Sequence, residues 1–388
     1  MNIAFVTLGL KPLRTSGFDI AGEHLVDALL NAGHQITVVA GKKDEQEESI
    51  THPNLKIHRI KLDRLDWFSF AYRAARLVEN LGPFDAVHFY DISFSYAYRG
   101  KYVASLQHSF RQRVESLGSF HWKKGTRWLL NFLYYSIALL IAEKPALKKA
   151  AGLLASSSSA YSEYLKHYAI EPAKITLARH CIDAEFYRRP SSGNQNQMRR
   201  SLCIDSGTPV ILFAGFITPR KGLEYLARAL VEISPPPCLL IIGKWRNLRY
   251  RRGVYTLLEP FRERVIETGF VPDEMMPAYY SLADVYVSPS LMEGFGLPLG
   301  EALACGTPVV AFDAGAVAEV VGPGGILVPP RDVKGLAEAV SYLLQNPDIR
   351  NSMAAKGRDH IVREFSVSKM LEATLEAYER FLDVKRSL

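Results

Sequence analysis

The residue types best suited to chemistry lie in residues 288–308, where Glu293 and Glu301 flank a loop that contains Gly294 and Gly296. The apolar residues before this loop predict a β-strand, and the helix-forming residues after it predict a helix. A helix that begins beside glycines presents unpaired N–H groups and the positive end of its dipole, which favour an anion. Ionised carboxylates accept hydrogen bonds from hydroxyl groups, so the stretch predicts a sugar-nucleotide site. A purely structural strand–helix turn is the alternative.

A pair of basic residues, Arg220 and Lys221, precedes another predicted helix at residues 223–233. The helix dipole disfavours cations at this end by roughly 0.3 to 1 kcal/mol, so we expect the pair to have an anionic partner. A diphosphate held between Lys221 and the amides near Gly296 would account for both features. The alternative is an ordinary solvated basic loop.

The composition is that of a globular chain with a moderate basic excess. Its 388 residues suit two domains better than one, and 48% of them are hydrophobic. The 47 basic and 40 acidic residues give a net charge of +7, which favours anionic partners such as phosphates or an anionic membrane surface. The four cysteines are scattered singly, which predicts neither a disulfide framework nor a metal site. The first residues resemble a strand and carry no basic leader, so we expect a cytoplasmic protein.

A second basic run, interleaved with aromatic residues, covers residues 244–252 and follows another predicted strand. Such interleaving could stack on nucleic acid, but here the run occupies a single loop of an α/β edge. We therefore expect a solvated or acceptor-facing loop and no nucleic-acid partner.

The longest apolar run, residues 128–142, is too short to span a bilayer and contains Asn131 and Ser136. Basic residues flank it on both sides, namely Lys123, Lys124, Arg127, Lys144, Lys148 and Lys149. Residues 119–149 could therefore form a helix that lies in a membrane interface and meets anionic lipid. The alternative is a core helix of the first domain with solvated ends.

Predicted strands and helices alternate along the whole chain, which favours doubly wound α/β domains. Parallel sheets bind ligands at the carboxyl ends of their strands, so we expect Lys11, Arg14, Ser16 and Gly17 to lie at a binding edge. A later strand delivers His108 to the same edge. A lone histidine is more often structural than catalytic, but its position at the end of a strand favours a functional role.

A polar segment that begins near residue 188 is typical of a linker. We therefore predict a first domain over residues 1–187, a linker over residues 188–205 and a second domain over residues 206–365. Residues 366–388 are predicted to form a C-terminal helix that packs back on the first domain. The two domains are expected to face a cleft.

The motifs of this chain resemble those of the retaining nucleotide-sugar glycosyltransferases of glycosyltransferase family 4, which have the GT-B fold of two Rossmann-like domains. The strongest matches lie at residues 269–274, 283–290, 293–301, 304–310 and 324–332. Weaker matches lie at Gly17, Gly33, His34, Asp85, His88, His108, Ser157, Asp183, Lys221 and Gly222. Together they span almost the whole chain in the order of the family.

The resemblance implies transfer of a sugar from a nucleotide diphosphate sugar to an acceptor, with the anomeric configuration kept. It implies catalytic roles for His108 and Glu293 beside the donor sugar and for Lys221 at the diphosphate. The donor-binding residues that it implies are Gly17, Arg220, Val271, Gly294, Phe295, Gly296, Leu297 and Glu301. Among these, Glu301 would bind the ribose hydroxyls, and Val271 would lie near the base.

Four positions depart from the pattern of the family. Phe216 stands where an arginine that binds the diphosphate is usual, and we expect Arg220 to substitute for it. His180 and Cys181 replace an Asn-Gly pair, and Ser109 replaces an aspartate. These departures concern catalytic efficiency and the hinge or acceptor side more than the fold.

The predicted function is therefore a cytoplasmic retaining glycosyltransferase that acts on a glycan or lipid-linked acceptor at the membrane face. The chain contains no Asp-x-Asp motif, so we expect no metal and no cofactor, and a UDP-, GDP- or ADP-type sugar as donor. Two alternatives stay open. One is a catalytically weak sugar-nucleotide-binding partner subunit, which Phe216 suggests, and the other is a sugar-nucleotide epimerase of the same architecture.

Overall fold

The computed structural model describes residues 1–13, 17–42, 51–62, 66–107, 109–112, 114, 126–190 and 192–384. The chain divides into two compact units, which are Met1–Cys181 with Val367–Leu388, and Ile182–Ser366. It passes from the first unit to the second after Cys181, earlier than the predicted boundary at residue 187.

Seven parallel strands form the sheet of the first unit within its described residues, in the order β3-β2-β1-β4-β5-β6-β7. They are β1 (Asn2–Thr7), β2 (Gln35–Lys42), β3 (Leu55–Lys61), β4 (Ala86–Phe89), β5 (Val103–Leu106), β6 (Gly152–Ala155) and β7 (Ile175–Leu177). The central strands are buried along their length, because helices cover both faces of a parallel sheet. Their nearly continuous apolar sequences follow from this double cover.

The helices of the first unit lie between these strands, with one contributed by the C-terminus. They are α1 (Gly17–Asn31), α2 (Asp66–Leu81), α3 (Thr126–Ala138), α4 (Lys144–Lys149), α5 (Ser158–Tyr168) and the C-terminal α14 (Val367–Leu382). A π-helical turn, Leu139–Glu143, joins α3 to α4. In the part of the chain that the structure describes, no helix is long and apolar enough to cross a membrane.

The C-terminal helix α14 packs on the sheet of the first unit, as predicted. The hydroxyl of Tyr378 and Nδ1 of His88 on β4 form a buried hydrogen bond of 2.9 Å. The ring of Phe381 lies against Gly152 at the start of β6, where a Cβ would come within 2.0 Å of the ring. Gly152 therefore lets the helix approach the strand closely.

Six parallel strands form the sheet of the second unit in its described residues, in the order β10-β9-β8-β11-β12-β13. They are β8 (Val210–Ala214), β9 (Cys238–Ile242), β10 (Val265–Gly269), β11 (Val285–Ser288), β12 (Val309–Phe312) and β13 (Gly325–Val328). The direction of strand order reverses between β8 and β11. In a doubly wound sheet, ligands bind beside the carboxyl ends of the strands at such a switch point.

The helices of the second unit complete a second Rossmann-like unit, so the predicted α/β fold class is confirmed. They are α6 (Ser192–Ser201), α7 (Leu223–Ala229), α8 (Leu248–Leu258), α9 (Met276–Leu282), α10 (Leu297–Ala304), α11 (Val317–Val321), α12 (Val333–Gln345) and α13 (Pro347–Glu364).

Two segments of the second unit that were predicted to be linker or loop contain helices instead. The predicted linker contains helix α6, and Gln195 on this helix donates to the Ser281 carbonyl oxygen at 3.2 Å. Its glutamine, methionine and arginine residues are good helix formers, although their polarity imitates a linker. The basic run after β9 is only partly a loop, because its residues from Leu248 onward belong to α8.

Candidate functional site

The carboxyl ends of β8 and β9 come very close together in the second unit. Gly215 and Gly243 follow these strands with φ angles of 134° and 137°. A Cβ at Gly243 would lie 1.8 Å from the Gly215 carbonyl oxygen, so both the backbone conformation and the close approach require glycine. The loop after β8, which carries Arg220 and Lys221, therefore begins at the edge of the sheet where the strand order reverses.

The loop with the two basic residues is bonded to the loop that follows β11. Gly222 has a φ of 69°, and a Cβ there would lie 2.0 Å from the Pro289 carbonyl oxygen. The Leu291 N–H donates to the Arg220 carbonyl oxygen at 2.9 Å. The two loops therefore fix each other's position, although they are distant in sequence.

Glu293 lies in the second of these loops and contacts both cations. The Lys221 ammonium donates to its Oε1 in a close ion pair, and Nη1 of Arg220 lies 3.8 Å from its Oε2. The Glu293 side chain is only 8% exposed, and this burial raises its pKa. The two cations outweigh burial and lower the pKa of Glu293 to about 2, so the carboxylate is ionised at neutral pH.

Lys221 is also largely removed from water, with a side chain that is 14% exposed. Burial lowers its pKa, the Glu293 carboxylate raises it, and the Arg220 guanidinium lowers it further, with a net decrease. At contact distance, two cations thus share one carboxylate. The more distant Glu301 also attracts Lys221, but more weakly. A further anion at this place would improve the charge balance.

The backbone of Glu293 is held by the loop after β12. Its carbonyl oxygen accepts the Ala316 N–H at 3.2 Å. Gly315 lies against the same oxygen with a φ of 68°, and a Cβ there would approach it to 2.1 Å. These contacts fix the position from which the Glu293 carboxylate extends.

Helix α10 begins immediately after this loop. Its N-cap residue, Gly296, is left-handed (φ 93°, ψ 52°), and no side chain of the described residues caps the helix. A Cβ at Gly296 would lie 2.6 Å from Cδ1 of Leu299, so a larger residue would be strained by both its φ and its neighbour. The helix start therefore has the glycine cap and the dipole orientation that suit an anion.

Glu301 lies on α10, 7% exposed, and is oriented by phenol groups. The Tyr280 hydroxyl on α9 donates to Oε2 of Glu301 at 2.6 Å. Burial raises the pKa of Tyr280 and of Tyr187, and the negative charge of Glu301 raises both further. Thr307 donates in turn to the Tyr280 carbonyl oxygen at 2.7 Å. The phenols thus stay protonated and act as hydrogen-bond donors.

A third tyrosine, Tyr286 on β11, lies near both carboxylates. Its hydroxyl donates to the Ala214 carbonyl oxygen at 3.2 Å. Burial raises the pKa of Tyr286, and the negative charges of Glu293 and Glu301 raise it further. The sequence offers little signal for these tyrosines, because aromatic residues before and within an apolar strand are typical of a core.

The other residues of the second unit that were predicted to bind the sugar-nucleotide donor lie in different surroundings. Gly294 lies in the loop after Glu293, and Leu297 is the first residue of α10 and is buried. The Phe295 ring packs on Phe365, with 5.4 Å between ring centroids, so its side chain belongs to the core. Val271 is buried and follows β10. Their roles in donor binding stay predictions.

The predicted residues of the first unit are only partly described. Gly17 begins helix α1, whereas Arg14, Ser16 and His108 lie outside the described residues, so their roles stay predictions. Ser109 donates to Oε1 of Glu163 at 2.5 Å. The serine that replaces the usual aspartate thus contacts a carboxylate from α5.

The basic run after β9 forms an ion-pair cluster of its own. Glu267 on β10 accepts hydrogen bonds from Nε1 of Trp245, at 2.7 Å, and from the Tyr255 hydroxyl. Nη2 of Arg251 lies 3.5 Å from the same carboxylate. Part of the positive charge and both of these aromatic residues are therefore used within the unit.

Arg246, from the same run, lies beside the position where the family usually has an arginine. Its guanidinium carbon lies 4.3 Å from the centroid of the Phe216 ring. The backbone N–H of Arg246 donates to the Ile217 carbonyl oxygen at 3.1 Å, so the loop after β9 is bonded to the loop after β8. A neighbouring loop thus brings a cation to Phe216, whereas the Arg220 guanidinium donates to the Met292 carbonyl oxygen.

A buried carboxylate of the first unit, Glu143, lies at the end of the π-helical turn. It is 2% exposed and accepts from the Phe110 N–H at 2.9 Å, the Tyr164 hydroxyl at 2.9 Å and the Tyr168 hydroxyl at 3.0 Å. Burial raises its pKa to about 7, although these hydrogen bonds oppose the increase. Among the described residues, no group of three or more His, Cys, Asp or Glu could hold a metal ion.

The fold and the site define a protein with two Rossmann-like units and a candidate anion site at the switch point of the second sheet. Residues 22–186 match the family model described as Glycosyltransferase Family 4. Residues 194–360 match the model described as Glycosyl transferases group 1. Together these matches cover most of the chain, which therefore belongs to the glycosyltransferases with the GT-B fold.

Known relatives resemble the chain over part or all of its length. The α-maltose-1-phosphate synthase of Mycolicibacterium smegmatis is 31% identical over 61% of this chain, and the alignment covers 65% of that enzyme. An uncharacterized glycosyltransferase of Methanocaldococcus jannaschii is 26% identical, with 98% of both chains aligned.

Solved structures share the fold at low sequence identity. The sucrose-phosphate synthase of Thermosynechococcus elongatus has a TM-score of 0.81 and 22% identity, over 99% of this chain and 100% of that one. The HepE protein of Anabaena, in complex with UDP-glucose, has a TM-score of 0.74 and 16% identity, over 97% of this chain and 98% of that one.

Proposed function

We propose that this protein transfers a sugar from a nucleotide diphosphate sugar to an acceptor and keeps the anomeric configuration. The observation that carries the proposal is the cluster of Lys221, Arg220 and Glu293 beside the glycine-capped start of α10, in which Lys221 and Glu293 are largely buried and Arg220 is partly exposed. Two cations share one carboxylate there, next to the positive end of a helix dipole. A diphosphate fits this arrangement because it supplies the missing negative charge.

The same cluster suits the departure of a nucleoside diphosphate. In the reaction, the bond between the anomeric carbon and the β-phosphate oxygen breaks, the acceptor hydroxyl oxygen bonds to that carbon from the same face, and its proton passes to the departing diphosphate. Negative charge grows on the leaving oxygen. Lys221 and the N–H groups at the start of α10 stabilise this charge without a metal ion.

The two carboxylates divide the recognition of the donor between them. Glu293, held by its backbone beside Lys221, would accept from hydroxyls of the sugar. Glu301, oriented by Tyr280 at 2.6 Å, would accept from the ribose hydroxyls. His108 is proposed to lie beside the transferred sugar, Gly17 to close the phosphate side and Val271 to approach the base.

The donor is proposed to carry UDP, GDP or ADP, and the structural likeness to a protein that binds UDP-glucose supports this class. The acceptor is proposed to be a glycan or a lipid-linked glycan. The proposed location is the cytoplasm, at the inner face of a membrane.

A donor screen tests the proposal. The purified protein is incubated with UDP-, GDP- and ADP-sugars in turn, with and without an acceptor panel, and the products are followed by mass spectrometry and by NMR of the anomeric proton. We expect release of the nucleotide and an α-linked product from an α-linked donor, unaffected by EDTA. An inverted product would overturn the retaining assignment, and loss of turnover in EDTA would overturn metal independence.

A second candidate, a sugar-nucleotide-binding partner subunit with weak catalysis, is favoured by Phe216 in place of the usual arginine. Calorimetry distinguishes it from the enzyme. Tight binding of UDP, GDP or ADP without hydrolysis or transfer from any donor would support the partner subunit. Conversion of the donor to its epimer without a glycosylated acceptor would instead support the epimerase alternative.

A further inference from the structure

A row of exposed aliphatic side chains follows one side of α3 and the π-helical turn of the first unit. Its members, which we call the apolar face, are Leu129 (51% exposed), Leu130 (65%), Leu133 (46%), Ile137 (47%), Leu140 (59%) and Ile141 (57%). They recur every three or four residues, or stand next to each other, so they share one side of the helix. Burial of such a surface in an apolar medium is favourable.

The opposite side of the same helix packs into the first unit. Ala138 and Ala142 are fully buried. The Tyr135 ring stacks on Phe110 at 6.1 Å between centroids, and Tyr134 contacts the ring of Phe68 edge-on at 5.9 Å. The inner side of the helix is therefore packed against the first unit. The predicted alternative, a core helix, does not account for the exposed aliphatic side chains on its outer side.

The charged residues that flank the apolar face most closely in the sequence and are not buried are all basic. The sequence has no acidic residue between Glu115 and Glu143, and the Glu143 carboxyl is buried. Beyond the C-terminal end of the face, Lys144, Lys148 and Lys149 are exposed.

Basic residues also precede the face in the sequence, at Lys123, Lys124 and Arg127. The charge pattern is thus cationic at both ends of an apolar segment.

We propose that the apolar face is a membrane-binding surface that lies flat on an anionic lipid bilayer. The 18 residues 126–143 would extend about 27 Å along the bilayer plane, with the aliphatic side chains among the acyl chains and the lysines at the lipid phosphates. An anionic bilayer supplies an apolar layer and negative charges at its rim, which this pattern requires.

A second copy of the chain would cover the apolar face less favourably than a bilayer would. In a two-fold dimer through this face, the basic end of one helix would oppose a basic end of the other in either orientation. Like charges would therefore repel in the assembly.

Flotation of the full chain with lipid vesicles tests the proposal. We expect the protein to float with vesicles of 70% phosphatidylcholine and 30% phosphatidylglycerol at low salt, and to bind vesicles of phosphatidylcholine alone less well. The double variant L130E/L140E should reduce the partition coefficient by at least about tenfold, because it places two charges in the apolar layer. A matched control is Val231→Glu, at an exposed valine of the second unit, which should float like the wild type.

A second variant tests the charges at α4 and leaves the apolar face on α3 and the π-helical turn unchanged. K148E/K149E should weaken binding to the anionic vesicles at least about tenfold and remove most of its salt dependence. Its control, K334E/K356E, reverses two exposed lysines of the second unit and should have a much smaller effect.

The proposal is overturned if the wild type stays in the bottom fraction with anionic vesicles at low salt. It is also overturned if flotation persists in both L130E/L140E and K148E/K149E. Sedimentation velocity tests the competing occupant, a second copy of the chain. If the wild type does not float but forms a concentration-dependent dimer, and L130E/L140E dissociates that dimer, the face is assigned to a second copy. Vesicle binding needs no donor, so its failure and failure of the proposed sugar transfer are separate results.

Discussion

Two glutamates, Glu143 in the first unit and Glu293 in the second, are buried in opposite ways. In the second unit, Glu293 is buried beside Lys221 and Arg220, and its pKa falls to about 2. In the first unit, Glu143 is buried among hydroxyl and amide donors without a cation at contact distance among the described residues, and its pKa rises to about 7. The same residue type is thus kept ionised in one unit and driven towards neutrality in the other.

A buried histidine of the first unit, His88, is also kept neutral by burial, as Glu143 is. His88 is bonded to Tyr378 at 2.9 Å and to Ser105 at 2.8 Å, and burial lowers its pKa to about 3. Neutral, fully bonded groups suit a structural role, since they join β4 to β5 and to the C-terminal helix. The cluster in the second unit instead keeps two cations and an ionised carboxylate in contact, and charged groups of this kind are typical of a candidate binding site.

The largest expected effect concerns Lys221. Lys221→Ala should reduce turnover of the donor by roughly a hundred- to a thousandfold, the range typical for loss of one group that stabilises developing charge. Steady-state kinetics with the donor found in the screen measures this.

Because the variant leaves Glu293 buried without its closest cation, circular dichroism must first show that the variant is folded. Affinity for the nucleoside diphosphate should fall more than affinity for the nucleoside without phosphates. The control Lys356→Ala, on the exposed side of α13, should behave as the wild type. Unchanged turnover in Lys221→Ala would remove Lys221 from the mechanism.

The next effect concerns the pH dependence of stability and the Glu143 carboxyl. Its pKa rises from 4.5 to about 7 on folding, so between these values the folded protein binds more protons than the unfolded chain. Stability is therefore lost as the pH rises from 4.5 through 7, by on the order of 3 kcal/mol. Glu143→Gln is neutral at every pH, so its first unit should resist urea better than the wild type at pH 8.

Urea unfolding at pH 5 and pH 8, followed by circular dichroism, measures this difference. The control Glu171→Gln, at an exposed glutamate, should keep the pH dependence of the wild type. If Glu143→Gln loses stability between pH 5 and pH 8 as steeply as the wild type does, the Glu143 carboxyl is ionised in the folded protein and the contrast between the units fails.

A smaller effect concerns Tyr280, which orients Glu301. Tyr280→Phe removes a hydrogen bond to a charged group, so we expect the dissociation constant of the nucleoside diphosphate to rise about tenfold, with little change in kcat. The neighbouring Tyr279→Phe is the control. The loss should disappear with a 2′,3′-dideoxynucleotide, because that ligand has no ribose hydroxyls for Glu301. An equal loss with both nucleotides would place the role of Tyr280 elsewhere.

The smallest effect concerns Arg246, whose guanidinium lies over Phe216 at 4.3 Å. If this cation acts in place of the usual arginine, Arg246→Ala should weaken binding of the nucleoside diphosphate about two- to fivefold, as expected for an exposed cation. Calorimetry at two salt concentrations measures the change, and Arg262→Ala, at an arginine that is 82% exposed, is the control. Equal affinities in both variants would leave Arg220 as the substitute.

The sequence by itself determined the local units of this protein. Alternating strand and helix patterns, glycines at strand ends and the spacing of Glu293 and Glu301 depend on neighbours in the chain, so they could be read as two Rossmann-like units and a candidate anion site. The return of the C-terminal helix was also predictable from its place after the second series of strands. The domain boundary was displaced, the polar helix formers of α6 imitate a linker, and the basic run after β9 is partly helical where a single loop was predicted.

The tertiary structure alone decided which groups meet and which are exposed. The pairing of Lys221 with Glu293, the phenol of Tyr280 on Glu301 and the ring of Phe216 under Arg246 each join loops or helices that are distant in sequence. The apolar run at residues 128–142 fitted both a core helix and an interfacial helix. Composition counts apolar residues, but only packing shows that one side of this helix is buried and the other faces outward.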